Sequence, residues 1–258
     1  MATAKEILNK VLLALRRDQV TSDSTTDDDE LRVLQHVNSA KREIEDAHDW
    51  QALRWSIIAT VPSGQQESLL TTALTDATGV STIDVSSRSR LLYERSRAAH
   101  TAMPGGENSL RLSGAKPQVF QILSANTGEH RLAEMTLEQQ RRIDLLDDDE
   151  TSNVLNSFSL KRQGDYYKLL VRPTPASELS VVLRLVIPQA DFTGADLTTV
   201  LSVPATDAVY LRALWYANQE RGEELGAPGS TLDLQATRAL ADAISPELTD
   251  EDVTGYAV

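Results

Sequence analysis

Residues 160–188 read LKRQGDYYKLLVRPTPASELSVVLRLVIP. In the second half, Val181, Leu183, Leu185 and Ile187 alternate with Ser180, Val182, Arg184 and Val186. A period of two, rich in β-branched residues, predicts a strand with one better-buried face. Residues 166–171 predict a second strand. Pro173 and Pro175 carry no N–H and cannot continue a ladder, so they end it. With residues 176–178 as the turn, the expected unit is an antiparallel hairpin with the fold built against its apolar face.

Helical periodicity surrounds this β segment at both chain ends. Residues 4–16 place Ile7, Leu8, Val11, Leu12 and Leu15 on one stripe. A second helix is expected from Asp27 or Asp28, where Asp27 and Glu30 resemble a capping box and the acids suit a helix N-terminus. Its expected buried face is Leu31, Leu34, Val37, Ala40, Ile44 and Ala47, followed by the core anchors Trp50 and Trp55. A third helix is expected to start at Pro204 with Ser202 as its cap. Val209, Leu211, Leu214, Trp215 and Tyr216 make it apolar nearly all round. A last helix is expected at 231–244. The acidic segment 246–258, which follows the last cation at Arg238, is expected to be disordered unless a partner holds it.

Between the ends, strands are expected at 54–61, 82–85, 91–95 and 119–123, with residues 68–77 either a short helix or a loop. Residues 136–146 predict a helix capped by Thr136 and Gln139, closed by the acids at 147–150. The turn-rich segment 100–108 reads as an exposed excursion, an assembly loop. Arg88, Arg90, Arg95 and Arg97 form a basic cluster, either a solvated strand face or a contact for an acidic neighbour. The expected fold class is α+β: a helical bundle from residues 1–53 and 204–245, with an antiparallel β domain inserted at 54–203, a short helix near 137–146, and the acidic tail 246–258.

The chain has 258 residues, 41% of them hydrophobic, and a formal net charge of −13. The length suits one large domain or two small ones. With no cysteine, thiolate nucleophiles, disulfides and thiolate metal sites are excluded. No signal peptide and no membrane span are expected. A sequence-specific DNA binder usually presents a basic face, and here the balance is acidic. That charge serves solubility, or it forms a wall past which a duplex slides.

There is no Gly-x-Ser-x-Gly elbow, no phosphate-binding loop and no Gly-x-Gly-x-x-Gly. His36, His48, His100 and His130 do not pair at metal-ligand spacing. At Asp27–Glu30 and at 147–150, capping and helix termination are favoured over a metal site. No catalytic, cofactor-binding or metal-ligating residue is expected, and no cofactor.

Three patches together resemble one family. Asn38-Ser-Ala40-Lys-Arg42-Glu43-Ile44, followed by Asp49-Trp50, is similar to the N-terminal helix of the head-to-tail adaptor (connector) proteins of tailed bacteriophages. The Pro-x-Pro segment at 173–175 between two strands resembles their C-terminal β-hairpin. An alanine-rich helix closing on Glu220-Arg221-Gly222-Glu223 resembles their C-terminal helix. The three cover about half the chain, and residues 65–156 match no pattern. The resemblance implies a structural virion protein, not an enzyme. It would be made in the host cytoplasm and sit at the head–tail junction as a ring of twelve subunits under the portal protein. The ring would dock tail or neck proteins below, extend the DNA channel and pass duplex DNA without specific binding. The alternatives are another neck or tail protein, a stopper or tail terminator, and an enzyme with an unrecognised site.

Overall fold

A computed structural model describes residues 2–70, 74–75, 82–83, 88–94, 116–124, 128–136, 139, 151–163, 166–221 and 227–253. The helices are α1 (Ala4–Ala14), α2 (Asp28–Ala47), α3 (Thr206–Arg221) and α4 (Ala227–Val253). The strands are β1 (Arg54–Val61), β2 (Glu67–Leu70), β3 (Leu74–Thr75), β4 (Thr82–Ile83), β5 (Arg90–Leu91), β6 (Tyr93–Glu94), β7 (Lys116–Pro117) and β8 (Val119–Ser124). They continue with β9 (Gly128–Arg131), β10 (Ala133–Glu134), β11 (Thr151–Ser152), β12 (Ser157–Gln163), β13 (Tyr166–Arg172), β14 (Thr174–Pro175) and β15 (Leu179–Val186). The chain is α+β: α1 and α2 from one end pack with α3 and α4 from the other, and mainly antiparallel sheets occupy the sequence between them. It divides into two compact units, residues 1–53 with 188–258, and residues 54–187. The returning segment 188–203 therefore belongs with the helices, not with the β domain where the sequence reading placed it.

In the helical unit, local chemistry sets the helix starts. Thr3 and Glu6 form a reciprocal capping box on α1, with Glu6 N–H donating to Thr3 Oγ1 (3.2 Å) and Thr3 N–H to Glu6 Oε2 (2.8 Å). The helix stops before residue 16, where Arg16 takes a left-handed φ of 55°. Asp27 caps α2, its Oδ1 accepting from the N–H groups of Asp29 and Glu30. The reciprocal half is not made: Glu30 bonds Thr25 Oγ1, and Thr25 Oγ1 accepts from Asp27 N–H. Ser202 does not cap α3. Its N–H donates to Gln189 Oε1, and the helix begins at Thr206. Ala47 is exposed, whereas Lys41 and Glu45 are buried in α2.

In the β unit, the expected hairpin does not form. β13 pairs with β12 and β2, whereas β15 pairs with β1, β8 and β5, in a different sheet. The reason lies at the two prolines. Neither can donate to a ladder, so the chain leaves the first sheet after Arg172. Residues Thr174–Pro175 pair briefly in parallel with Thr151–Ser152, and the Pro175 carbonyl accepts from Gly64 N–H. The hairpin that does form joins β12 to β13, with Phe158 opposite Val171 and Leu160 opposite Leu169. The segment 68–77, expected to be helix or loop, contains strand: Leu70 pairs with Tyr167 and is buried.

Ile57, Ala59, Val119, Val181, Leu183 and Leu185 from the five-stranded sheet meet Leu70, Phe158, Leu169 and Val171 from the four-stranded one in a shared core. The other face of β15 is also covered at Val182 and Val186. The expected cap at 136 is present: Thr136 N–H donates to Gln139 Oε1 (3.0 Å) and Gln139 N–H to Thr136 Oγ1 (3.2 Å). The remaining residues of the expected helix, 137–138 and 140–146, lie outside the described residues, as do the acids 147–150, the segment 100–108, and Arg95 and Arg97. Among the described residues, no helix is long and apolar enough to cross a membrane.

Candidate functional site

The densest chemistry in the helical unit is a polar seam between α2, α3 and α4. Glu43 faces α3 from the middle of α2. Arg212 of α3 donates from Nε to Glu43 Oε2 (2.8 Å) and from a terminal nitrogen to Glu43 Oε1, and its other terminal nitrogen bonds Asp233 of α4. This fork geometry is what a guanidinium offers a carboxylate. The Tyr216 hydroxyl donates to the same Glu43 oxygen (2.8 Å), and Arg212 stacks over the Trp215 ring at 5.1 Å.

The Arg212 bond holds the Glu43 carboxyl below its ordinary pKa, aided by Tyr216. Burial, then Glu43, pushes the Tyr216 phenol up, and Glu43 raises Arg212. Further along, His36 Nε2 lies 2.6 Å from Glu220 Oε2, and the His36 and Tyr216 rings stack. Contacts running from 36 to 43 on α2 and from 220 to 212 on α3 make the two helices antiparallel.

A second cluster pins the chain's return into the helices. The side chains of Lys41 and Glu45 are 0% exposed. Lys41 Nζ donates to the Gln189 carbonyl (2.7 Å), the Ala190 carbonyl (3.0 Å) and Glu45 Oε1 (3.3 Å). It also lies over the Phe192 ring at 5.4 Å. Asn38 bonds the Phe192 backbone twice, accepting its N–H and donating to its carbonyl, both at 2.9 Å. Arg42 grips Asp191, and that bond raises the Arg42 pKa.

The chain's exit toward β1 is fixed from the same helix, where Trp50 Nε1 donates to the Ile44 carbonyl (2.8 Å). Gln51 N–H donates to Glu247 Oε2 of α4 (3.1 Å), and His48 Nε2 stands 3.3 Å from that oxygen. The tail expected to need a partner is therefore helical to Val253 and tied by Glu247 to its own chain. Residues 254–258 lie outside the described residues.

In the β unit, Leu70, Leu91, Leu160, Leu185 and Tyr167, with Ser89 and Arg90, line a half-open cavity of about 250 Å³. Its walls are mostly apolar, and its polar lining residues, Ser89, Arg90 and Tyr167, do not include a carboxylate or imidazole to act as a base. Among the described residues, no group of three or more His, Asp or Glu is placed to hold a metal ion.

Of the four histidines, His36 and His48 sit at acid contacts in the helical unit and His130 lies in β9 opposite Gln121. His100 is outside the described residues. Sequence reasoning placed Ala40 and Ile44 on the buried face, as found, named Asn38 and Glu43 in the same pattern without giving them roles, and missed Arg212. The available signal was a cation on an otherwise apolar helix face. No protein-family model matches the chain, and no curated protein matches it.

Proposed function

We propose that this chain is a structural virion protein, a head-to-tail adaptor. It would assemble as a ring of twelve copies beneath a portal protein, extend the DNA channel and present the docking surface for tail or neck proteins. One observation carries this reading: the two helical patches that resemble adaptors meet in one bundle. Glu43 of the first bonds Arg212 and Tyr216 of the second, and His36, on the same helix, meets Glu220. The patch at 173–175 supports it less, because its two strands lie in different sheets. The buried and half-buried charges of α2 serve architecture in this reading. The chain performs no catalysis and works through its surfaces, with the net charge of −13 keeping duplex DNA from adhering.

The test is electron microscopy of the full chain mixed with portal rings of the same phage. The expected image is a second ring, coaxial with the portal and built from twelve copies of this chain. A chain that stays monomeric and unbound beside intact portal rings would overturn the proposal.

A further inference from the structure

We propose that the face of the five-stranded sheet turned away from the shared core is a docking surface for a carboxylate-rich segment of another protein. Strand register places its residues. Arg54 of β1 and Arg90 of β5 both pair with Val186 of β15. Side chains alternate between the faces of a strand, so Arg184 lies on the same face as Val186. Further across the sheet, Phe120 of β8 pairs with Val182 on one side and with Arg131 of β9 on the other. One face therefore carries Arg54, Arg90, Arg131 and Arg184, all half-exposed. Among the described strand positions on it, the one acid is Glu129, opposite Ile122. This balance reverses that of the whole chain, whose net charge is −13.

Two of the arginines converge. The guanidinium carbons of Arg131 and Arg184 lie 5.1 and 5.3 Å from the centroid of the Phe120 ring. The negative face of an aromatic ring attracts cations, which offsets part of the repulsion between the two. Arg184 also donates from a terminal nitrogen to Gln118 Oε1 (2.9 Å). An amide and a ring orient the guanidinium but leave its charge in place, and among the described residues no carboxylate stands beside it. Arg54, Arg90 and Arg131 make further contacts of their own, so Arg184 is the cation best placed to take a new partner.

Charge complementarity selects the occupant. A guanidinium fork fits a carboxylate or a phosphate, so local chemistry admits a protein or a nucleic acid. Two features favour the protein. A single strand binds by stacking its bases on aromatic rings, and here two guanidiniums compete for the ring. A polynucleotide also brings a dense row of phosphates against the acidic surface elsewhere on the chain, whereas a short acidic segment places its charges on the arginine face alone. Such docking needs one acidic partner and no ring, so it is independent of the adaptor proposal.

The probe is a fluorescein-labelled peptide of about twelve residues, alternating glutamate and valine, titrated by anisotropy into the full chain at physiological salt. Single-stranded and duplex oligonucleotides are titrated in parallel. The peptide is expected to bind and the oligonucleotides are not. The double variant R131Q/R184Q should bind the peptide about fivefold more weakly or worse. The control R17Q/R32Q, whose arginines pair with Asp29 and Glu220 in the helical unit, should bind it like the parent. The thermal transition of R131Q/R184Q is measured alongside, and if it is lost, R184Q alone carries the comparison. No peptide binding by the parent chain, undiminished binding by the variant, or oligonucleotide binding as tight as the peptide's overturns the proposal. Self-association that is lost in R131Q/R184Q, without peptide binding, overturns it in favour of a second copy of this chain.

Discussion

Lys41 is a fully buried cation in the helical unit. An ammonium with no solvent exposure survives only because Glu45 and two backbone carbonyls replace its water. Removing one partner of such a pair leaves an uncompensated buried charge. Lys41→Ala is expected to lower stability by about 3–5 kcal/mol, read as a shift in the urea midpoint. A loss under 1 kcal/mol would mean that water enters the site. Glu43 makes a milder, pH-dependent case. Its folded pKa is depressed by Arg212, so its contribution is present above the unfolded value of about 4.3 and is lost as pH falls through the folded value. Glu43 is half-exposed, which limits the term to about 1 kcal/mol or less. Glu43→Gln is therefore expected to flatten the acid limb of the stability profile below about pH 4.3. An unchanged limb would show that the pair is open in solution. Tyr216 acts at the other end. Its raised pKa gives a contribution present below about pH 10 and lost as pH rises through the folded value.

Among the elements, α4 shows most clearly what its last turns contribute. Truncation after Ser245 removes the Glu247 oxygen that accepts from Gln51 N–H. The expected loss is about 1–3 kcal/mol in the thermal transition, while Glu247→Gln, which keeps an acceptor oxygen, loses less. Equal loss from both would place the effect in charge and not in the hydrogen bond. The sequence made the helices legible because their apolar stripes recur every three or four residues, and it made β1 and β15 legible by alternation. It could not show which strands pair. Residues 166–171 and 179–186 are close in sequence, and a short turn between them is the simplest inference. Yet Pro173 and Pro175, read only as strand terminators, also move the chain to another sheet. Lys41 and Glu45 stayed hidden for a related reason: on α2 they occupy buried positions whose partners, at 189–191, arrive from a distant segment. Gly194 belongs to that segment, and a Cβ there would stand 2.5 Å from Leu31 Cδ2 and 2.7 Å from the Thr25 carbonyl oxygen. Because one of these neighbours is backbone, Gly194→Ala is expected to destabilise by about 1–3 kcal/mol in chemical denaturation, and a neutral result would show that the segment 25–31, the loop end and first turn of α2, yields.

At the scale of the molecule, the two units are joined through residues 53–54 and 187–188. Arg54 is the register partner of Val186, so the ends of the β unit lie about 5 Å apart. An inserted unit with adjacent ends can be removed without stretching its host. Replacing residues 54–187 by a few glycines should leave a helical unit with a cooperative transition, because the Asn38, Lys41 and Trp50 contacts all lie within it. Loss of cooperativity would show that the helices need the β unit to fold. Net charge acts at the same scale but over distance. With −13 on the chain, phosphates are repelled within a Debye length of about 8 Å at physiological salt, and the arginines of one sheet face leave that balance acidic. Gel shift of a plain duplex with the full chain at physiological salt should therefore detect no complex. Tight binding that weakens steeply as salt rises, the signature of counterion release, would mean that a cationic face grips DNA instead of letting it pass.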